Sequence, residues 1–363
     1  MAVFPPMRCV PAPPLSHLPG SLSAEPGAEE RAAIEAVRHL GRRFPNARLR
    51  EVPLVRAAEL DGRADPSGST RVWLALEALQ VTGSFQVRGA LVAVEAASRT
   101  HRRVIAPSVG NHGIAVAYAA FVLGVAATIV VPNHIARTKR EKIERYGAEL
   151  IVASSERYES ALAIAKQLAE EQGESAALIV AGQDVGNILG NGSSLGFEIV
   201  RGLGGVPERA LAPFCDGGLA TGLAWALRAE LVGEADRGVW GVQSEAHCTM
   251  AASLECGRAV TASDAPAPTL AEELREGVST AAFERAREAI AGVCIVSEAQ
   301  IAAAMGYAYG DMGLVLEGSA ALALAPVLFG LPEGLRGGDM VVVLTGRNID
   351  PDRLDGVLAR IRA

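Results

Sequence analysis

The feature that most constrains this chain is a rhythm. Beyond a Gly-, Pro-, Asp- and Ser-bearing loop at Asp61–Ser69, short β-branched runs alternate with longer alanine- and leucine-rich amphipathic runs. The strand-like runs are Val104–Ala106, Ala126–Val131, Glu149–Val152, Ala177–Val180, Leu211–Phe214, Gly238–Val242 and Met340–Leu344. Between them lie helical patterns at His112–Leu123, Thr138–Tyr146, Tyr158–Glu171, Ser194–Leu203, Ala220–Val232 and Ala299–Asp311. Such alternation predicts an α/β chain with open sheets of parallel strands. Sheets of that kind bind ligands at the carboxyl ends of their strands, so chemistry is sought in the loops that directly follow strands.

Upstream, Glu29–Arg43 has helical spacing, and residues 1–28 read as a loose arm. The stretch Gly113–Val131 carries no charge and approaches the length of a bilayer span. Gly124 divides it into an alanine-rich half and a β-branched half that Pro132 closes, so it reads as helix then strand in a soluble, cytoplasmic protein. Met1–Gly20 is proline-rich without a continuous apolar segment, unlike a secretory signal. Half the 363 residues are apolar, enough for a sizeable core and about two domains, while a net charge of −7 argues against nucleic-acid binding. Five cysteines, an odd number without a CxxC pair, indicate neither a disulfide framework nor a zinc knuckle.

Four segments carry chemistry. Pro107-Ser108-Val109-Gly110-Asn111-His112-Gly113 follows a strand and opens a helix, where free N–H groups attract anions; a plain helix cap would use the same residues. Cys215-Asp216-Gly217-Gly218-Leu219 also joins strand to helix, and its paired glycines suit either a phosphate cradle or a tight turn. Thr345-Gly346-Arg347-Asn348-Ile349-Asp350 ends a buried strand in polar residues. The last is Thr82-Gly83-Ser84-Phe85-Gln86-Val87-Arg88-Gly89.

Together, in this order, and with Ala181-Gly182-Gln183, Thr269-Leu270-Ala271-Glu272 and Leu316-Glu317-Gly318-Ser319, these segments resemble fold-type II enzymes dependent on pyridoxal phosphate, most closely the serine/threonine dehydratase group. The resemblance runs from about Pro53 to Asp350. It implies a tryptophan-synthase-β-like fold of two open twisted sheets, with the cofactor between a large domain (29–103 plus 187–363) and a small inserted one (104–186). It also implies a homodimer acting on a small amino acid, with no nucleic acid or membrane partner. By the same resemblance, Phe85 flanks the cofactor ring, Asn111 meets its hydroxyl and Thr345 its nitrogen. Cys215, Asp216, Gly217, Gly218 and Leu219 cradle its phosphate. Ser108, Val109, Gly110, Asn111 and His112 form the substrate-carboxylate loop, and Ser84 and Gln86 occupy the catalytic motif.

The chain also departs from the group. Where the family carries a lysine after Ser-Phe, this chain has Gln86. That lysine bonds the cofactor aldehyde and moves the substrate α-proton, whereas a carboxamide is neither nucleophile nor base. Loss of the proton transfer alone costs about 10²–10⁴-fold in rate. The three lysines of the chain, Lys139, Lys142 and Lys166, lie outside the motifs and read as solvated helix-face residues. Four glycines are usual in the phosphate loop, and Cys215-Asp216 replaces two of them. A carboxylate about 4 Å from a phosphate dianion repels it by up to roughly 8 kcal/mol at an effective dielectric near 20. Val109 stands where racemases of the group place a second serine, and Gln243 where cation-binding members place an acid. No metal is therefore expected, and His247, Cys248 and Cys256 match no common zinc spacing. Pyridoxal phosphate, if held at all, would be held without a covalent tether. Three functions remain open: a lyase using another base, a pseudoenzyme binding a ligand or partner in the old cleft, and a divergent enzyme using the cleft without the cofactor. A lysine-to-glutamine trap variant of a working enzyme would give the same sequence.

Overall fold

A computed structural model describes residues 7–12, 28–231, 238–261, 267–275 and 277–362. Its described strands are β1 (Arg8–Pro11), β2 (Leu54–Arg56), β3 (Thr70–Ala75), β4 (Arg103–Pro107), β5 (Ala126–Val131), β6 (Glu149–Val152), β7 (Ala176–Leu178), β8 (Arg209–Pro213), β9 (Gly238–Ser244), β10 (Gly292–Val296) and β11 (Gly338–Val343). They form two sheets. One is all parallel in the order β6-β5-β4-β7. The other is mixed, in the order β1-β10-β9-β8-β11-β3-β2, with antiparallel pairing only at its two edges.

Both sheets are covered on both faces, which explains why their central strands are continuous apolar runs. Along β11 the side chains alternate between two cores. Met340 and Val342 face one with Leu211 and Ile301, while Val341 and Val343 face another with Ala210, Leu223 and Phe283. In β4, Val104 and Ala106 face one core and Ile105 the opposite one. The core on the first face of this sheet extends beyond residues 104–186. Ile34, Leu40, Phe44 and the helix Val87–Ser98 contribute to it, the helix through Val87, Leu91 and Val94.

The uncharged stretch divides as its composition implies. Helix Asn111–Leu123 ends at Gly124, whose φ of +68° stops it, and β5 follows. Every residue from Asn111 to Ala120 is buried, so the stretch is apolar because it packs between the helix Val87–Ser98 and the sheet. Among the described residues, no helix is long and apolar enough to cross a membrane.

Other expectations need correction. Residues 8–11 of the supposed loose arm form the edge strand β1; residues 1–6 and 13–27 lie outside the described residues. Register places Cys9 opposite Cys294, and the two are joined as a disulfide. Their separation of 285 residues left no sequence spacing to reveal it. The Glu29–Arg43 pattern breaks into helices Ala28–Glu35 and Leu40–Arg43. Asp61–Ala64 is a helical turn rather than loop. Its start is fixed by Asp61, which accepts the Val72 N–H and pairs with Arg56.

Candidate functional site

Parallel strands of the two sheets aim their carboxyl ends at one another, and the loops that leave them enclose a cleft of about 870 Å³ including its mouth. Four sequence-distant segments meet there. Phe85 and Gln86 precede the helix Val87–Ser98, anchored by an isolated bridge from Ser84 to Gly346. Ser108, Val109, Asn111 and His112 follow β4. Cys215, Asp216, Gly217, Gly218 and Leu219 follow β8 and open the helix Gly218–Glu230, and Thr345 follows β11. Of the residues given a catalytic, cofactor or substrate role from sequence, only Ser84 and Gly110 are not on the cleft wall. Ser84 is fully buried behind it.

The wall holds groups that sequence reading passed over: Tyr158, Gly182, Asn187, Glu273, Glu317 and Ser319. Glu317, Gly182 and Ser319 lay inside quoted motifs but carried no assigned role. Glu273 follows such a motif, and nothing in its spacing marked it.

The lysines are the main correction. Lys139 is only 4% exposed. Its Nζ pairs with Glu273 and lies 3.5 Å from Glu317, both on the cleft wall. Burial opposes its charge, but the two carboxylates outweigh that and hold the ammonium well above its ordinary range. It is a locked counter-ion, not a free amine. Lys142 donates to Asn348 and is pushed down chiefly by burial. The helix Arg137–Arg145 that carries both lysines is tied at its start too: Asp350 accepts the backbone N–H of Arg137 (3.2 Å) and Thr138 (3.0 Å). Both lysines lie on a helix as expected, but the face that carries them meets the other sheet's loops instead of water. Among the described residues, no lysine lines the cleft.

The Lys139 cluster reaches the first loop. Asn111 donates to Glu317 (2.7 Å) and accepts from Asn348 (2.7 Å), so its amide is engaged on both sides. Glu317 is pushed up to about 7 by burial and Glu273, against the pull of Lys139. Ser108 Oγ accepts the N–H groups of Gly110 (2.9 Å) and Gly113 (2.7 Å), which ties the loop to the first turn of the helix Asn111–Leu123. His112 Nε2 faces the Ile179 carbonyl at 3.3 Å, which places the proton on Nε2. Burial drives its pKa down, leaving a neutral ring with a bare, unpartnered Nδ1.

In the second loop, Asp216 folds back on its own helix start. Oδ1 accepts the Gly218 N–H at 2.9 Å, and the carboxylate packs so closely on Gly182 that a Cβ there would collide with it. Burial raises the Asp216 pKa, opposed by that N–H and by the nearby Arg285. Arg285 itself donates to the Gly182 carbonyl (2.7 Å) and is not on the cleft wall. Away from the cleft, Gln243 caps a helix by accepting the N–H groups of Met250 and Ala251, and His247 Nε2 meets the Ala267 carbonyl at 2.8 Å. Among the described residues, no three His, Cys, Asp or Glu side chains converge as a metal site.

Comparison with known proteins agrees with this architecture. Residues 47–346 match the family model described as pyridoxal-phosphate dependent enzyme. L-threonine ammonia-lyase of Thermotoga maritima is 32% identical over 295 residues, covering 79% of this chain and 69% of its own. The crystal structure of a threonine deaminase from T.th. superposes with a TM-score of 0.76 at 33% identity, covering 90% of this chain and 99% of that one. The processed threonine deaminase isoform 2 of Solanum lycopersicum shares the fold, with a TM-score of 0.81, 24% identity and coverage of 99% and 98%. With its α/β sheets, the position of its cleft and a family match over most of its length, the chain belongs to the pyridoxal-phosphate dependent enzyme family, among relatives of the threonine dehydratase type.

Proposed function

We propose that this chain descends from threonine/serine dehydratases, keeps their cleft for a small metabolite, and does not run the lysine-dependent elimination. One observation carries the reading. The side chain at the motif position for an amine is the carboxamide of Gln86, and no lysine lines the cleft among the described residues. A delocalised amide nitrogen cannot capture an aldehyde. The family's cofactor does not fit these residues. Besides lacking a tether, the loop that would receive its phosphate already holds the Asp216 carboxylate on the Gly218 N–H. Bringing a dianion to about 4 Å of that carboxylate costs up to roughly 8 kcal/mol at an effective dielectric near 20.

The test is turnover. The purified chain mixed with pyridoxal phosphate and L-threonine or L-serine is expected to release no ammonia or keto acid beyond what the free cofactor releases. Turnover well above that background refutes the reading.

Glu317 supports a second reading, a divergent enzyme with a carboxylate base. It lines the cleft, and its pKa of about 7 suits proton transfer at neutral pH. Any activity found under this reading would inflect near pH 7 and vanish in Glu317→Gln.

A further inference from the structure

The Cys9–Cys294 disulfide fastens a segment that has few other ties. Strand β1 is the outermost strand of the seven-stranded sheet and only four residues long, and Cys9 lies directly opposite Cys294 of β10. Val10 is buried in the core on one face of the sheet, while Met7, Cys9 and Ala12 are only partly buried. Arg8 pairs with Glu255, but both side chains are open to solvent, so the pair adds little. Holding residues 7–12 extended costs backbone entropy at each of them, and a short edge ladder with one buried apolar side chain offsets that poorly.

The sheet is nevertheless shaped for this strand. A Cβ at Gly292 of β10 would collide with the Val10 carbonyl, so β1 can come this close only because residue 292 is glycine. The two sulfurs differ in access. Cys294 is fully buried, whereas Cys9 is half-buried on the outer strand and is the more accessible of the two. Neither residue lines the cleft.

Independently of the function proposed above, we propose that Cys9–Cys294 is a reducible fastening of the N-terminal segment. Oxidised, it locks β1 onto the sheet; reduced by a dithiol, it releases residues 7–12 and leaves β10 as the sheet's edge. One thiolate of the dithiol attacks Cys9 Sγ and forms a mixed disulfide, while Cys294 leaves as a thiolate and takes up a proton. The second thiol of the reagent then displaces Cys9, giving two cysteine thiols and the cyclic disulfide of the reagent.

Hydrogen exchange of the full chain, unreduced and after dithiothreitol, tests this, with peptide mapping after alkylation under denaturing conditions reporting the state of each cysteine. In the unreduced protein Cys9 and Cys294 should appear as one linked peptide pair, with Cys215, Cys248 and Cys256 alkylated. Reduction should speed amide exchange in residues 7–12 by about tenfold or more. Exchange in β10 should rise less, because β9 still pairs with its other side, and β8 and β11 should not change. Cys9→Ser should exchange fast at residues 7–12 without reductant and show no further response to it, while Cys256→Ser should behave as the parent does. Absence of the Cys9–Cys294 link in the unreduced protein overturns the proposal. So does exchange at residues 7–12 that is indifferent to reduction or to Cys9→Ser, or acceleration spread evenly over both sheets.

Discussion

Lys139→Met is the sharpest test of how the two sheets are held across the cleft. The substitution preserves much of the apolar stem and deletes the charge. Two buried carboxylates, Glu273 and Glu317, then lose their shared cation. At the 3.5 Å separation from Glu317, the direct attraction is at most about 5 kcal/mol at an effective dielectric near 20. Removing one partner of a buried pair costs about 3–5 kcal/mol. The cost depends on pH, and the sign follows from Glu317. Its pKa in the fold, about 7, lies above its ordinary 4.5, so the folded state binds the extra proton. Stability therefore falls as pH rises from 4.5 to 7, by about 3 kcal/mol for this group. Below about pH 6 Glu317 is already largely neutral, and deleting Lys139 forfeits only its pairing with Glu273. At about pH 8 the substitution forfeits both. Urea unfolding followed by tryptophan fluorescence should therefore show a loss of about 4 kcal/mol at about pH 8 and about 2 kcal/mol at about pH 5.5. A loss below about 1 kcal/mol, or equal losses at the two pH values, would refute the buried three-charge arrangement.

Gln86→Lys combined with Asp216→Gly restores an amine and frees the second loop; with added pyridoxal phosphate it should gain a visible absorption band that survives dialysis, which the parent chain should lack. Arg88→Met strips the cation from Glu77 and Glu198, all three nearly or fully buried, and should cost about 3–5 kcal/mol in chemical denaturation. Asp350→Ala removes the acceptor for two N–H groups of the helix Arg137–Arg145 and should cost about 1 kcal/mol, with faster amide exchange confined to that helix's first turn.

The sequence was most legible where a residue's neighbours in space are also its neighbours in the chain. Strands β4, β5, β6, β7, β8, β9 and β11 and the helices between them follow from local periodicity, with ends displaced by a residue or two. Strands β1, β2, β3 and β10 were not read. β2 has three residues and β1 four, and the pairing that defines them comes from distant segments. Three of the cleft-wall motifs were recognisable because each directly follows a strand, and the Phe85–Gln86 segment joined them through the resemblance of the ordered set to a known family. Charge placement was not recognisable. Lys139, Glu273 and Glu317 are 44 to 178 residues apart and meet only when a helix of one sheet docks on loops of the other. Ser108 shows the opposite limit. Its hydroxyl fits both an anion loop and a helix cap by sequence, and only the folded chain shows it accepting the Gly110 and Gly113 N–H groups.

The central claim is that this cleft has no amine able to take an aldehyde. Incubation with one equivalent of pyridoxal phosphate, borohydride reduction and peptide mapping tests it directly. The account predicts no stoichiometric pyridoxyl label on any cleft peptide, with Lys139 unmodified because its ammonium is locked between carboxylates. A stoichiometric label on Lys139, or on Lys142 beside it, would contradict it.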